Sequence, residues 1–417
     1  IMRIAEYDQI LADLVAIPSV NDHEAAVADY LEKLLAKHHI TAQRVPYAPG
    51  RDNLVAEIGN GQGPVLGFDG HADTVALGDR AKWQTDPLVG TIKAGKMYGR
   101  GVTDMKAGLA AGVIAMIQLH DAGVLLNGTI RLLATVGEEI GELGAHQLAE
   151  QGYVDDMAGI VIGEPSGVAK DFVTQPAAQS IFPLSPEERD ALVAANQNTE
   201  QHFVVAAHKG TLAFRVDSVG QAVHSSMPEL GYNAITPLLT FYNRVQQYFE
   251  DQAGLKDPTL GPATPLVTPL NAGQQLHTVP ASASMRINVR TIPEKTNDAM
   301  LADIQALADE VNQAEQAHLT IRVISKLSPM STDPNARLVQ LTKRIGEKHL
   351  KQQLPVIGVS GGTDASPIVD RNPNIEAVVF GPGNFSAHQV NEYVDMGIYH
   401  QYINLYIDLF KHYLAGM

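Results

Sequence analysis

"VLGFDGHADTV", residues 65–75, decides how the rest of the chain is read. Val65–Asp69 is largely apolar without polar alternation, the pattern of a short strand buried on both faces. His71 and Asp73 follow at its carboxyl end, where open α/β sheets place their ligands. Extended backbone puts residues two apart on one side. The pair therefore suits a metal-binding imidazole oriented by an acid. A plain turn or helix-cap pair has the same spacing, and both readings are open at this point.

Working outward, Asn53–Ile58, Thr129–Val136, Gly159–Ile162 and Ala377–Phe380 read as further strands. Tyr7–Ala16, Glu24–Lys37 and Tyr399–Leu414 read as amphipathic helices, and Thr103–Asp121 as a helix apolar nearly all round. The alternation predicts an α/β domain with a central, mostly parallel sheet. Between 207 and 326 the order changes to strand Thr211–Val219, helix Asn233–Phe249, strands Pro265–Leu270 and Ala283–Ile292, helix Asn297–Glu315 and strand His318–Lys326. That order is ferredoxin-like. The expected organisation is a domain of residues 1–206 and 327–417 interrupted by one of residues 207–326. Residues 173–201 are polar and Pro-containing, with a short helix at Pro186–Asn196, and read as an insertion.

Composition narrows the chemistry. The 417 residues allow two or three domains. With 46 acidic against 30 basic residues the net charge is −16, which argues against nucleic acid or an anionic membrane as partner. A small anionic substrate stays open, because local cations can dominate a cleft. The chain has no cysteine, so any metal site must use His, Asp and Glu. No run of about 18 apolar residues and no basic-then-apolar leader stand out, so the expectation is a soluble cytoplasmic protein.

Acids recur at successive strand ends. "YGRGVTDMKAG" (98–108) opens the buried helix with Asp104, where helix capping is the plain alternative. Glu138 and Glu139 follow the next strand, and Glu164 in "GIVIGEPSG" follows the one after that. "GPGNFSAHQVNEYV" (381–394) adds His388 in a Gly/Pro-rich loop. Taken singly, each is an ordinary solvated loop residue. Jointly they form an N/O ligand set suited to Zn²⁺, Co²⁺ or Mn²⁺.

"GHADTV", "GRGVTDMKAGLAA", "GEEIGELGA", "IGEPS", "GQAVHSS" and "GPGNFSAHQVNEYV" occur in an order that resembles a family of dizinc deacylases and exopeptidases. The family includes succinyl-diaminopimelate desuccinylases, acetylornithine deacetylases, aminoacylases and glutamate carboxypeptidases. The resemblance spans nearly the whole chain and implies a catalytic domain interrupted by a ferredoxin-like lid and dimerisation domain. It implies two zinc ions, Asp104 bridging them, His71 and Glu164 completing one site, and Glu139 and His388 the other. Asp73 would orient His71, and Glu138 would be the general base. A cis peptide is implied at Asp104–Met105. His224 in "GQAVHSS" resembles a family histidine that reaches the substrate oxygen from the other subunit of a homodimer. Arg290 in "RINVRTIP" and the loop "SGGTDAS" with Gly361, Gly362 and Thr363 resemble groups that hold a substrate carboxylate. The implied substrate is an N-acyl amino acid, with succinyl-diaminopimelate first, other acyl-amino acids second and a peptide third. Two features depart from desuccinylases: His277 in "LHTVP", where Asn is common, and the 173–201 insertion.

Overall fold

The computed structural model describes residues 2–182 and 184–415. They fall into two compact units, one of residues up to 207 with 331–359 and 363–415, the other of 208–330 with 360–362.

The first unit is built on a nine-stranded sheet. Its order runs Ala42–Ala48, Arg51–Gly59, Thr129–Thr135, Val65–His71, Met157–Pro165, Glu376–Gly381, Val204–His208 and Met330–Ser331, with Val356–Val359 also paired to Val204–His208. The expectation of a mostly parallel sheet is corrected here, because the sheet is mixed. Four adjacent strands, Thr129–Thr135, Val65–His71, Met157–Pro165 and Glu376–Gly381, are mutually parallel. On one side lies the antiparallel hairpin Ala42–Ala48/Arg51–Gly59, which pairs antiparallel to Thr129–Thr135; on the other, Val204–His208 is antiparallel as well. The hairpin was not expected in full: "AQRVPYA" (42–48) lacks alternation and carries Pro46, which an edge strand tolerates.

Helices pack on the sheet because its central strands are apolar on both faces. Helix Ala107–Asp121 is buried from Ala107 to Leu119. Val102–Asp121 is long and apolar enough to cross a membrane, but nearly all of it is buried within the protein, as a core helix would be. Gly108 permits its close approach to the sheet: a Cβ there would lie 1.9 Å from the Gly163 carbonyl oxygen. Helix Met396–Ala415 sets Tyr406 and Phe410 edge-on against Phe68, with ring centroids 5.0 and 5.9 Å away.

The second unit has a four-stranded antiparallel sheet in the order Thr264–Ala272, Ser282–Thr291, Gly210–Val219, Leu319–Leu327. Along the chain the order is strand–helix–strand–strand–helix–strand, with helices Ile235–Asp251 and Asn297–Glu315. Alternation along Gly210–Val219 and Ser282–Thr291 aims Leu212, Phe214, Val216, Met285, Ile287 and Val289 into one core with both helices.

His208 is fully buried, its Nδ1–H donating to the Lys209 carbonyl at 3.0 Å, and burial pushes its pKa down to about 4. Its unfolded value lies near 6.5, so below that pH the unfolded chain binds the extra proton and the fold is disfavoured. Between pH 7.5 and 5 the wild type should lose about 2 kcal/mol that His208→Gln does not. Thermal melts of both proteins at the two pH values check this, and equal acid sensitivity would contradict it.

Candidate metal centre

The four parallel strands all end at one edge, and that edge collects the expected residues of the first unit. His71 ends its strand, Glu138 and Glu139 begin a tight turn after Thr129–Thr135, and Glu164 lies near the end of Met157–Pro165. His388 comes from the loop after Glu376–Gly381. Asp104 enters from a widened turn, Val102–Lys106, where its backbone is non-helical (φ −124°, ψ 91°). The Asp104–Met105 peptide is cis, as expected.

Asp104 lies between the two imidazoles. Its Oδ1 is 3.0 Å from His71 Nε2, and its Oδ2 is 3.0 Å from His388 Nε2. Glu164 Oε1 lies 3.2 Å from His71 Nε2, and Glu139 Oε1 lies 3.0 Å from His388 Nε2. Two three-residue sets result, His71–Asp104–Glu164 and Asp104–Glu139–His388, each with its ligand atoms within 4.8 Å of one another. Glu138 is itself a member of a third such set, with His71 and Glu139.

The electrostatics are those of acids crowded out of water. Burial pushes Glu138 well above the usual carboxylate range, and burial with the neighbouring Asp104 charge raises Glu164 to about 8. Burial would raise Asp104 too, but hydrogen bonds from His388 and His71 outweigh it and hold it well below the ordinary value. Hydrogen bonds to Asp104 and Glu139 lift His388 to about 10. Positive charge is therefore strongly favoured at both Nε2 positions. A cluster of two imidazoles and three carboxylates, with one carboxylate shared, fits a pair of divalent cations with N/O preference.

Asp73 meets His71 with both its main chain and its side chain. His71 Nδ1–H donates to the backbone carbonyl of Asp73 at 2.9 Å, while the nearest Asp73 carboxylate oxygen is 3.5 Å away. That carboxylate also accepts the backbone N–H groups of Glu138 at 3.1 Å and Glu139 at 3.2 Å. It holds the two-glutamate turn, and Asp73 orients His71 mainly through its main chain. The turn needs Gly137 at φ +67°, where a Cβ would also meet Arg51 Nη2 at 2.8 Å.

Two further acids escaped the sequence reading. Glu392, 1% exposed, accepts N–H from Gly101, Thr103 and Asp104 at 2.9–3.0 Å and from Arg100 Nη1 at 2.7 Å. It fixes the backbone that carries Asp104. Its signal was present only as an acid inside the "GPGNFSAHQVNEYV" motif. Asp364, also buried, accepts the Thr135 hydroxyl at 2.5 Å and sits beside the buried Asp69, two residues before His71 in the same strand.

The remaining expected residues divide between the two units. Thr363 belongs to the first unit and is buried, its hydroxyl accepting the Ala365 N–H at 3.2 Å at the start of helix Ala365–Arg371. His224, Arg290, Gly361 and Gly362 belong to the second unit. His224 is exposed and its Nδ1 lies 2.7 Å from the Ser226 hydroxyl; Arg290 Nη1 donates to Thr211 Oγ1 at 3.0 Å.

Replacing Glu392 with Gln substitutes a donor for one of its acceptor oxygens. Second-sphere losses of this kind weaken metal binding about 10–100-fold. Chelator competition with Glu392→Gln should give a drop in that range, and an unchanged affinity would remove Glu392 from its positioning role.

Comparison with known proteins agrees with this geometry. Residues 67–412 match Peptidase family M20/M25/M40. A probable succinyl-diaminopimelate desuccinylase of Staphylococcus epidermidis is 35% identical over 99% of both chains. Among solved structures, an M20 family metallo-carboxypeptidase, Sso-CP2 of Sulfolobus solfataricus, shares the fold with a TM-score of 0.74 at 18% identity, covering 98% of this chain and 99% of its own. The YXEP protein of Bacillus subtilis, described as a dinuclear metal binding peptidase, has a TM-score of 0.70 at 15% identity over 99% of both. This chain belongs to peptidase family M20/M25/M40 and is a metal-dependent hydrolase.

Proposed function

We propose that the protein hydrolyses the amide bond of an N-acyl amino acid, with N-succinyl-diaminopimelate as the leading substrate. The observation that carries the reaction class is Asp104, with one oxygen to each imidazole, and a Glu138 carboxylate close to both His71 and Glu139. The choice of succinyl-diaminopimelate rests on the 35% identical relative. His71, Asp104 and Glu164 would hold one divalent ion, and Asp104, Glu139 and His388 the other, Zn²⁺ first with Co²⁺ or Mn²⁺ suited to the same donors. When bound, such a pair supplies Lewis acidity that acidifies water and polarises a carbonyl.

The protein's own groups would do the rest. Glu138 accepts the proton of the attacking water and delivers it to the departing amine. Its desolvated position suits that exchange, because burial makes the carboxylate a stronger base. Asp73, through the N–H groups of Glu138 and Glu139, keeps the base and its neighbouring ligand in register. In this proposal the unit of residues 208–330 serves as lid and dimerisation domain. His224 of one subunit would donate to the substrate oxygen in the site of the other. Arg290 and the backbone of Gly361, Gly362 and Thr363 would hold a substrate carboxylate.

A panel of succinyl-diaminopimelate, acetylornithine and dipeptides, offered to the Zn²⁺-loaded protein, should show the highest kcat/KM for the first. A preference for dipeptides would replace the deacylase assignment with an exopeptidase one. Glu138→Ala should keep both ions and lose at least about 10²-fold in kcat; loss of an ion with retained turnover would mean that Glu138 is a ligand. Glu138→Ala and His224→Ala proteins, each inactive alone, should regain activity when mixed and allowed to exchange subunits. No recovery after confirmed exchange would refute a histidine acting across the dimer.

A further inference from the structure

The chain leaves the Glu164 strand for a long excursion and returns through Glu200 and His202. Its base is a two-stranded antiparallel ribbon, with Gly167 opposite His202 and Ala169 opposite Glu200. Within it, helix Pro186–Ala195 is started by a reciprocal cap between Ser185 and Glu188. Lys170 Nζ donates to the Asn196 carbonyl at 2.9 Å, and the buried Arg189 donates to the carbonyls of Val173 and Gln175 at 3.3 and 3.1 Å. The expected insertion is thus an ordered body.

What it does at its base is specific. Glu200 and His202 are 2% and 0% exposed. His202 Nε2–H donates to Glu200 Oε2 at 3.1 Å, which leaves Nδ1 to accept the Tyr402 hydroxyl at 2.8 Å. That hydroxyl is also 3.0 Å from Ser166 Oγ, two residues beyond Glu164. Ser166 Oγ donates to the Gly381 carbonyl at 3.0 Å, stitching the end of the Glu164 strand to the end of the strand before His388. The other oxygen of Glu200 accepts Asn384 Nδ2–H at 2.8 Å, and Asn384 Oδ1 accepts the Ser386 N–H at 2.9 Å. Asn384 and Ser386 both belong to the loop that carries His388.

Aromatic packing ties the same two segments together. Phe182, within the excursion, stacks on Phe203 at 4.5 Å and lies parallel to Phe385 at 6.4 Å. Phe172 meets Phe385 edge-on at 5.6 Å. Phe385 stands three residues before His388.

We infer that the base of the 170–199 excursion is a brace for one half of the metal centre: Glu200 and His202, with Asn384, fix the loop of His388 relative to the strand of Glu164. The inference rests on the two-metal reading above. His71 is held by a buried strand and its side chain is 1% exposed, whereas the His388 side chain is 52% exposed on a loop. The half-site with His388 is therefore the one that needs external positioning. Glu200, His202 and Asn384 are positioning residues: among the described residues their hydrogen bonds run to one another, to main chain and to Ser166, Tyr402 and Gln352, and to none of the proposed ligands.

The test is a titration of metal-free wild type, Glu200→Gln and Asn384→Ala with Co²⁺ by calorimetry, with melting temperatures of the metal-free proteins measured alongside. Wild type should take up two ions. Both variants should bind the first with affinity within about twofold of wild type and the second at least about tenfold more weakly, the scale of second-sphere effects. Asn384→Ala cuts the same hydrogen bond from the side of the His388 loop, so it carries the test if Glu200→Gln does not fold. Wild-type affinity at both sites in the variants would overturn the brace. So would equal weakening at both sites with a lowered melting temperature, which is a general folding role. A wild type that takes up fewer than two ions would overturn the two-metal reading itself.

Discussion

The centre depends on the placement of one carboxylate. Asp104 faces His71 with one oxygen and His388 with the other, each at 3.0 Å, so it joins the two histidines directly. Its helix, Ala107–Asp121, does not hold it there, because it sits in the non-helical turn that precedes it. Glu392 does, by gathering the N–H groups of Gly101, Thr103 and Asp104 onto one buried carboxylate that Arg100 neutralises. A buried acid with this many donors is satisfied and stiff, which is how a loop without regular secondary structure can hold a ligand in place.

Around that carboxylate the fold works by delivery. Four parallel strands bring His71, the Glu138–Glu139 turn, Glu164 and the His388 loop to one edge, and the sheet's twist and register fix their spacing. Crowding so many acids out of water raises Glu138 and Glu164 and favours positive charge at both imidazoles. In the proposed reaction, that stored demand for cations is what two metal ions answer, while Glu138 stays free to move protons.

Much of this was legible because each parallel strand carries its own signature, an apolar run closed by Gly and an acid or His. The antiparallel flank was not, since Ala42–Ala48 is an edge strand with a proline and no alternation, and Thr129–Thr135 enters between two strands that are neighbours in sequence. Spacing alone put Asp73 beside His71 but could not say which of its oxygens faces the ring. The carbonyl does, and the carboxylate serves the next loop. Glu392 was invisible for a different reason: its partners lie nearly three hundred positions away, and no local pattern encodes that meeting. The Glu200–His202 base was hidden inside a segment whose polarity reads as solvated loop, although both residues are buried.

The central claim is that Asp104 joins two cations in one site. Loading the metal-free protein with two equivalents of Mn²⁺ and recording its electron paramagnetic resonance spectrum tests this without any substrate. Ions sharing a carboxylate at about 3.5–4 Å should be exchange-coupled, and Asp104→Asn should abolish the coupling. Two uncoupled ions in the wild type, or coupling that survives in Asp104→Asn, would contradict the account.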